Sequence, residues 1–356
     1  MRVGLIIPCN LKYSPYVNYY SEHFKSLGIE YDCIIWDKTG QSDEVGYVFH
    51  RKSSTRKISD KIIGYLLFAD YIKKTCKNRK YDKIIVFTIV PGLYLLNFLV
   101  KRYNGKYILD IRDYSPLITI FPAKFKKLLN CASYVVSSSY EFKSWIKHDF
   151  IIGHNVDTNS IRENEQIDNS KVSTKPYKIM FAGSLIEGAI NKNLIDTLAN
   201  CSDITLNYTG TQTQDKIALE QHVLNSKIQN VTFNGVYKKE EIYSIYRNNA
   251  DFINILRANT PINKNAIPNK LYDAVLAGVP VLVFEHNTGI VKYVNDFNLG
   301  IVIEDKPPKE FKSYLLEKLN SYDAKNYMSG RKNFIDHIKD EYEIFHSMLT
   351  QWVKNG

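Results

Sequence analysis

The sequence predicts an α/β fold made of two doubly wound, Rossmann-like domains. Its 356 residues exceed what one hydrophobic core usually supports, and 44% apolar residues suffice for two cores. Short apolar runs alternate with helix-length amphipathic segments in both halves of the chain, as in parallel βαβ units. We therefore predict a first domain at residues 1–156, a polar linker at 157–177, a second domain at 178–335 and a C-terminal helix at 336–356 that crosses back to the first domain.

The first half contains apolar runs that are short enough to be buried strands. The segment Ile58–Lys74 between them has helical spacing, and we expect Ile62, Leu66, Ala69 and Ile72 to face the sheet. The predicted strands of this half are Val3–Pro8, Tyr31–Trp36, Lys83–Val90, Tyr107–Ile111 and Tyr134–Ser137.

The second half repeats the alternation and predicts a second parallel sheet. The stretch Tyr322–Trp352 is predicted to be helical. The predicted strands are Ile179–Ala182, Ile204–Tyr208, Val231–Phe233, Phe252–Ile255, Val281–Phe284 and Gly300–Ile303.

Charge and composition narrow the location and the partners of the protein. Residues 1–175 carry 27 Lys and Arg against 17 Asp and Glu, so the net charge of +10 lies in the first half, which indicates an anionic partner. Solubility alone would also account for it. The five cysteines form no CxxC pair and no secretory signal pattern is present, so we expect a cytoplasmic protein. A nucleic-acid partner is not expected, since no motif that reads bases is visible.

The most informative segment is a predicted helix that begins at Pro268 and ends before Gly278. Its spacing places Asn269, Lys270 and Asp273 on one polar face. A lysine in the first turn opposes the helix dipole, whereas an anion there is favoured by roughly 0.3–1 kcal/mol. The pattern indicates a phosphate at this helix N-terminus, although a solvated Lys/Asp pair on a surface helix would give the same spacing.

The segment Pro268-Asn-Lys-Leu-Tyr-Asp-Ala-Val-Leu-Ala-Gly-Val-Pro280 resembles the donor-site signature of family 4 retaining glycosyltransferases. The resemblance implies the GT-B fold, in which two Rossmann-like domains face a cleft. It places Lys270 near the donor diphosphate and Asp273 on the nucleotide ribose, with Pro268, Asn269 and Leu271 in the same donor-binding segment. Relatives often have a second acidic residue on the donor sugar where this chain has Asn265.

Other segments follow the same family order and imply further site residues. In the second half these donor-binding residues are Gly183 and Ser184 in Phe181-Ala-Gly-Ser-Leu185, Lys192, Gly210 and Tyr237. Ser184 stands where relatives often have an arginine that contacts the diphosphate. In the first half, Asp110-Ile-Arg-Asp113 resembles a motif at the interdomain cleft, which makes Arg112 and Asp113 catalytic candidates, and Asn10 is an acceptor-side candidate.

The resemblance implies transfer of a sugar from a nucleotide-sugar donor to a saccharide acceptor, with retention at the transferred carbon. We expect a lipid-linked acceptor, a role in capsule or other surface polysaccharide synthesis, and neither a cofactor nor a metal, since the sequence contains no Asp-x-Asp. Two alternatives stay open: a sugar-nucleotide epimerase, and a non-catalytic nucleotide-binding protein of the same fold.

A basic stretch in the first half is a candidate membrane contact. Lys124, Lys126 and Lys127 lie among Phe121, Phe125, Leu128 and Leu129, a combination that can enter a headgroup region. We predict peripheral attachment to an anionic membrane surface. An ordinary surface helix that packs its Phe and Leu inward would show the same pattern.

Overall fold

The computed structural model describes residues 1–40, 45–53, 57–156, 158–167, 174–306 and 308–355. The chain forms two compact units. The first comprises Met1–Asp157 together with Lys339–Gly356, and the second comprises Thr158–Ile338. Among the helices of the described chain, none combines the length and the apolar character that crossing a bilayer requires.

The first unit is built on a parallel sheet of seven strands in the order β3-β2-β1-β4-β5-β6-β7. Register follows the apolar runs, with Leu5 beside Cys33 on one side and Ile85 on the other. Because the chain moves outward from β1 in both directions, the sheet has a topological switch point between β1 and β4. The strands are β1 Arg2–Ile7, β2 Glu30–Asp37, β3 Tyr47–His50, β4 Lys83–Phe87, β5 Tyr107–Ile111, β6 Tyr134–Ser137 and β7 Ile151–Ile152.

Helices of the first unit cover both faces of this sheet. One core lies between the sheet and the layer of α2, α3 and α5, where Trp36, Phe68 and Leu128 are fully buried. The helices are α1 Val17–Ser26, α2 Ile58–Arg79, α3 Ile89–Arg102, α4 Leu117–Ile120 and α5 Pro122–Asn130.

The second unit has its own parallel sheet of six strands in the order β10-β9-β8-β11-β12-β13. Here the switch point lies between β8 and β11, which pair through Ile179 and Phe252. The strands are β8 Tyr177–Ala182, β9 Ile204–Thr209, β10 Val231–Asn234, β11 Phe252–Asn254, β12 Val281–Phe284 and β13 Gly300–Ile303.

The helices that follow these strands enclose a second core, in which Ile195, Leu206 and Leu315 are buried. The helices are α6 Thr158–Asn164, α7 Gly188–Thr197, α8 Gln214–Asn225, α9 Ile242–Asn249, α10 Pro261–Asn265, α11 Asn269–Ala277, α12 Thr288–Asp296, α13 Pro308–Asn320 and α14 Ala324–Lys354.

The last helix contributes to both units, because α14 crosses the boundary at residue 338. In the first unit, the Tyr342 hydroxyl donates to the carbonyl of Val156 at 2.7 Å. The Phe345 ring meets the Tyr20 ring edge-on at 5.0 Å between centroids. Phe345 and Trp352 are buried, so the end of the chain completes the core of the unit that the chain begins.

Three strands and one helix differ from the sequence expectation. Strands β3 and β7 were not expected, since they are short and lie at the two edges of the sheet. The predicted run Lys83–Val90 ends at Phe87, because Thr88 has a φ of 68° and α3 starts at Ile89. The residues predicted as a linker include α6, whose Ile161 is buried. Residues 168–173 of that linker lie outside the described residues.

Helix α2 packs through a face that the sequence analysis placed wrongly. Gly64, Phe68 and Ile72 form the stripe toward the core, and this spacing of four residues rotates the buried face away from the expected one. Ala69 and Ile72 are buried as predicted. Ile62 and Leu66, by contrast, are 45% and 55% exposed.

Candidate donor-binding site

The loops after the strands of the second unit meet at the carboxyl edge of its sheet, beside the switch point. Gly183 follows β8 with a φ of +120°, and Gly210 follows β9 with a φ of +142°, both in the region that favours glycine. A Cβ on Gly210 would overlap the carbonyl group of Gly183. The two loops therefore touch through bare backbone, and the N–H groups of Gly183 and Gly210 donate to the carbonyls of Thr209 and Gly235.

A buried lysine holds two of these loops in place. The Lys216 ammonium, at the start of α8, donates to the carbonyl of Gly210 at 3.1 Å and also to that of Asn234. Its side chain is 3% exposed. Lys216 thus fixes the loops after β9 and β10, which include the predicted residues Gly210 and Tyr237.

Helix α11 has the start and the end that the sequence predicts. Pro268 is the N-cap with an extended ψ of 145°, and Gly278 ends the helix in the left-handed region with a φ of 74°. Leu271 is fully buried, so its side chain supports the helix and does not line the site. Asn269 is exposed on the opposite side.

Lys270 points from the first turn of α11 toward the loop after β8. Its ammonium lies 4.5 Å from the centroid of the Phe181 ring and 3.5 Å from where a Cβ of Gly183 would be. Burial, together with the positive charge of Arg257, lowers the pKa of Lys270 to about 8. A cation whose charged form is disfavoured in this way is stabilised by a bound anion.

Asp273 lies one turn farther along α11. Burial raises the pKa of the Asp273 carboxyl to about 6, and the charges of Lys239 and Lys270 oppose that rise. Burial and, to a lesser extent, the nearby negative charge of Asp273 raise the pKa of Tyr237 to about 12. The loop after β10 therefore brings Tyr237 close to Asp273, and its hydroxyl lies 4.0 Å from the Cβ position of Gly183.

A small cavity of about 120 Å³ opens between α11 and the loops after β8 and β11. Its walls include two charged residues that the sequence analysis did not select, Glu187 and Arg257. The Arg257 guanidinium lies 3.5 Å from the Glu187 carboxylate. Glu187 in turn accepts from the Asn263 amide at 3.1 Å and from the backbone N–H of Ala258. The remaining lining residues are Phe181, Ser184, Ile186, Asn254, Ile255, Leu256, Pro268 and Lys270.

Arg257 supplies a second cation beside Lys270. It follows β11, the strand that pairs with β8 across the switch point, so its side chain reaches the same carboxyl edge. A survey of charged residues just after each predicted strand would have found it, because parallel strands end at one edge of a sheet. The site thus contains an arginine, although Ser184 occupies the position after Gly183.

Lys192 and Asn265 do not join this cavity. Lys192 lies on α7, half exposed, and pairs with Asp196 at 2.6 Å one turn away. The predicted contact of Lys192 with the donor stays a prediction, although in this geometry its side chain pairs with a carboxylate on the helix surface. Asn265 ends α10 and lies within 3.4 Å of the Thr288 hydroxyl at the start of α12.

The cleft candidates of the first unit differ in exposure. Arg112 is buried, donates to the carbonyl of Gly153 at 2.6 Å and forms an ion pair with buried Asp110. The pKa of the Arg112 guanidinium is raised, because its interactions with Asp110, Tyr20 and Tyr16 together outweigh the lowering effect of burial. This geometry favours a structural role for Arg112 over the predicted catalytic one. Asp113 is exposed just after the same strand and stays a prediction.

Asn10 is also committed to an internal contact. It is buried after β1, and its amide donates to the buried Asp37 carboxylate at 2.9 Å. Asp37 also accepts from Thr39 and lies 3.0 Å from a ring nitrogen of His50. Asn10 therefore organises the carboxyl edge of the first sheet, and its side chain is not open to an acceptor.

Helix α5 packs its apolar residues inward. Lys124, Lys126 and Lys127 are exposed, whereas Phe125, Leu128 and Leu129 are buried in the core. The predicted insertion of Phe125 and the two leucines into a membrane is therefore wrong. Because those side chains face the sheet, only the lysines and the partly exposed Phe121 remain on the surface.

Comparisons with known proteins agree with this architecture. Residues 176–321 match the model of the family described as glycosyl transferases group 1. A search of curated proteins finds no significant sequence match.

Solved structures of the same fold cover nearly the whole chain. Sucrose-phosphate synthase from Thermosynechococcus elongatus is similar with a TM-score of 0.68 at 12% identity, over 100% of this chain and 98% of the other. WaaG, a glycosyltransferase involved in lipopolysaccharide biosynthesis, is similar with a TM-score of 0.61 at 14% identity, over 98% and 99%. UDP-GlcNAc 2-epimerase from Methanocaldococcus jannaschii gives a TM-score of 0.55 at 14% identity, over 94% and 98%. Identities this low show the fold.

The two Rossmann-like units, the loops around Lys270 and the family match lead to one identification. The chain has the GT-B fold of glycosyltransferases, and its residues 176–321 match the model of the glycosyl transferases group 1 family.

Proposed function

We propose that the protein transfers a sugar from a nucleoside diphosphate sugar, with its diphosphate at Lys270 and Arg257. The observation that carries the proposal is the pair of cations at one helix N-terminus beside Gly183, in a sheet whose switch point forms the ligand crevice. A diphosphate needs such a set of donors. The N–H groups at the start of α11 complete it.

The same cations have a role in the reaction. When the bond between the sugar and the diphosphate breaks, negative charge develops on the leaving phosphate oxygen. Lys270 and Arg257 are fixed on α11 and after β11, so they are placed to stabilise that charge without moving. We propose that transfer occurs with retention, as the resemblance of the α11 segment implies. We also propose that no metal ion takes part, since these side chains already balance the diphosphate.

Asp273 is proposed to accept hydrogen bonds from the nucleotide ribose. It lies one turn beyond Lys270 on the same face of α11 and close to Tyr237. The replacement Asp273→Ala should weaken ribonucleoside diphosphate binding about tenfold, with little effect on the 2′-deoxy analogue. Calorimetry with both ligands measures the preference for the ribonucleoside diphosphate over its 2′-deoxy analogue. If the folded variant keeps the preference of the wild type, the ribose assignment is contradicted.

The acceptor is proposed to be a lipid-linked saccharide in surface polysaccharide synthesis, at the inner face of an anionic membrane. The excess positive charge of residues 1–175 supports this assignment, as does the fold that the chain shares with WaaG. Asp113 is the exposed polar candidate beside the acceptor. We expect Asp113→Ala to lower turnover more than donor affinity.

A panel of nucleotide sugars tests the proposed function. The sugar that most raises the melting temperature is incubated with the protein, with and without an acceptor extract, and the products are identified by NMR. A new glycosidic bond that appears only with acceptor supports transfer. An altered nucleotide sugar formed without acceptor would instead identify a sugar-nucleotide epimerase, a class of enzyme to which one structural neighbour belongs.

A further inference from the structure

Helix α2 of the first unit has an outward face that is apolar where the helix begins and basic where it ends. Ile58, Ile62, Ile63, Leu66 and Leu67 are 75%, 45%, 50%, 55% and 47% exposed. At the spacing of three and four residues they are followed on the same side by Lys73, Lys74 and Lys77, all exposed. We call the five aliphatic residues the α2 apolar face.

This face has no partner within the described residues of its own chain. Phe68, Ile72 and Cys76 form the side of α2 that packs against the core. The residues of the α2 apolar face therefore do not contribute to this core. Single exposed aliphatic side chains are common on proteins. Five on adjacent turns of one helix form a contiguous patch, and such patches mark interaction surfaces.

The position of the face in the fold is specific. Because α2 connects parallel strands β3 and β4, its first turns lie at the carboxyl edge of the sheet. The helix is 22 residues long, about 33 Å, whereas β4 has five residues, so the first turns project beyond the sheet. The carboxyl edge is the edge where open α/β sheets bind their ligands.

A second apolar group lies at the same edge. Helices α2, α3 and α5 form one layer, in which α3 packs between the other two. The turn that leads into α5 exposes Ile120 and Phe121 to 60% and 41%. Lys124 lies beside this turn, 4.8 Å from the Phe121 ring. Two apolar projections with adjacent lysines therefore belong to one layer of helices.

The charge around the α2 apolar face selects the partner. Asp60 and Asp70 are the acidic residues of α2, and each forms an ion pair, with Arg51 and Lys74 respectively. The helix thus carries more lysines than these carboxylates can pair. Aliphatic side chains that are followed by lysines match the acyl boundary and the anionic headgroups of a membrane leaflet.

We propose that the α2 apolar face inserts into the headgroup region of an anionic membrane, with Lys73, Lys74 and Lys77 on the lipid phosphates. The inference rests on the proposed function, because it brings the carboxyl edge of the first unit to the surface where a lipid-linked acceptor would lie. It assigns insertion to α2, since the apolar residues of α5 are buried.

Vesicle sedimentation of the full chain tests the proposal. We expect the protein to sediment with vesicles of equal parts phosphatidylcholine and phosphatidylglycerol, and far less with phosphatidylcholine alone. The double variant Ile63→Gln/Leu66→Gln should bind the anionic vesicles at least about tenfold more weakly, because both side chains would leave the acyl boundary. Replacing Lys73, Lys74 and Lys77 by Gln should remove most of the salt dependence.

The second unit offers a matched control. Ile217 and Leu224 on α8 are 51% and 71% exposed, so Ile217→Gln/Leu224→Gln removes one isoleucine and one leucine of similar exposure. This variant should bind vesicles like the wild type. Equal binding of the α2 double variant and the wild type would overturn the proposal. So would a wild-type dimer in sedimentation velocity that the α2 double variant abolishes, since the face would then be a self-association surface.

Failure of this inference is separable from failure of the proposed function. The α2 double variant should keep the nucleotide affinity of the wild type, because the donor site lies in the second unit. If the wild type binds vesicles and binds no nucleotide, the donor proposal is wrong and the membrane proposal stands. If the wild type binds nucleotide but not vesicles, the membrane proposal is wrong and the donor proposal stands.

Discussion

Lys270 and Asp273 lie one helical turn apart, and burial shifts their pKa values toward each other. The pKa of Lys270 falls to about 8 and that of Asp273 rises to about 6. Near neutral pH both groups are charged, but each is close to losing its charge. A bound diphosphate would restore the preference of Lys270 for its ammonium form, so donor binding and protonation of this residue are coupled.

Donor affinity should therefore fall as the pH rises through the pKa of Lys270. The free protein loses the Lys270 proton above about pH 8, whereas the complex retains it, so affinity should drop about fivefold between pH 8 and pH 9. Calorimetry with the best-binding nucleoside diphosphate measures the slope. Lys270→Arg should bind with little slope in this range, because arginine stays charged. A slope that persists in that variant would assign the titration to another group.

Arg257 should matter to the donor, and Lys192 should not. Arg257→Gln removes a cation from the cavity and should weaken nucleoside diphosphate binding about tenfold or more, since charge-assisted hydrogen bonds contribute about 1.5–3 kcal/mol. Lys192→Gln removes an exposed lysine that is paired with Asp196 and serves as the control. If Lys192→Gln weakens nucleoside diphosphate binding more than Arg257→Gln does, the result would support the donor contact that the sequence predicts for Lys192.

The sequence could identify Lys270 and Asp273 because their relation is local. Both belong to one helix, so spacing alone places them on one face. Arg257 lies thirteen positions before Lys270, and its place depends on β11 pairing with β8, a contact across more than seventy residues. A single sequence shows that Arg257 follows a predicted strand, but it does not show that this strand lies beside β8. The same limit explains Arg112, whose partners Gly153 and Asn155 lie far along the chain.

Among the elements, α11 is held at its C-terminal end. Gly278 ends the helix, and the buried Arg331 guanidinium from α14 donates to the carbonyls of Val275 at 2.6 Å and Leu276 at 3.4 Å. The same guanidinium donates to the carbonyl of Asn164 at the end of α6, at 2.6 Å. A cation at two helix C-termini satisfies carbonyls that have no partner within their helices.

Replacing Arg331 should destabilise the second unit. Arg331→Met removes the buried guanidinium that donates to the carbonyls of Val275 and Asn164 and should lower the free energy of unfolding by about 3 kcal/mol. The neighbouring Lys332→Met removes an exposed pair with Asp336 and should cost less than about 0.5 kcal/mol. Urea unfolding followed by far-ultraviolet circular dichroism compares the two. Equal midpoints would show that the Arg331 hydrogen bonds contribute little.

Element boundaries follow the sequence where they depend on special residues. Pro268 and Gly278 bound α11 as predicted, and β5, β6, β12 and β13 have the predicted bounds. The faces of α2 do not follow, because Ile62, Ile63, Leu66 and Leu67 form an aliphatic face opposite to the buried one, so the helix is apolar on both sides. Periodicity cannot then tell which side meets the sheet. The packing of Gly64 against Trp36 decides it.

For the whole molecule, the net charge differs between the two halves of the chain. The net positive charge lies in residues 1–175, whereas the second half is balanced and concentrates its useful cations at one cavity. Among the described residues, no group of three or more His, Cys, Asp or Glu side chains could hold a metal ion. In the proposed mechanism, the donor diphosphate is held by Lys270, Arg257 and the start of α11.

Transfer should persist in excess chelator. Because side chains balance the diphosphate charge in the proposed mechanism, EDTA should leave the initial rate within about twofold of the untreated rate. The rate is measured with the donor and acceptor found in the nucleotide-sugar panel. Loss of transfer on chelation, with recovery on addition of Mg²⁺ or Mn²⁺, would show that the reaction needs a metal ion.

The return of α14 to the first unit sets an order in time during synthesis. The partners of Tyr20 and Lys83 include Phe345 and Trp352, which leave the ribosome only after the entire second unit. Until then the nascent first unit exposes the aromatic surface that these residues cover. The second unit, in contrast, is contiguous in the chain. The half that is translated first is therefore the half that finishes folding last, and in that interval its open aromatic surface is a natural site for a chaperone.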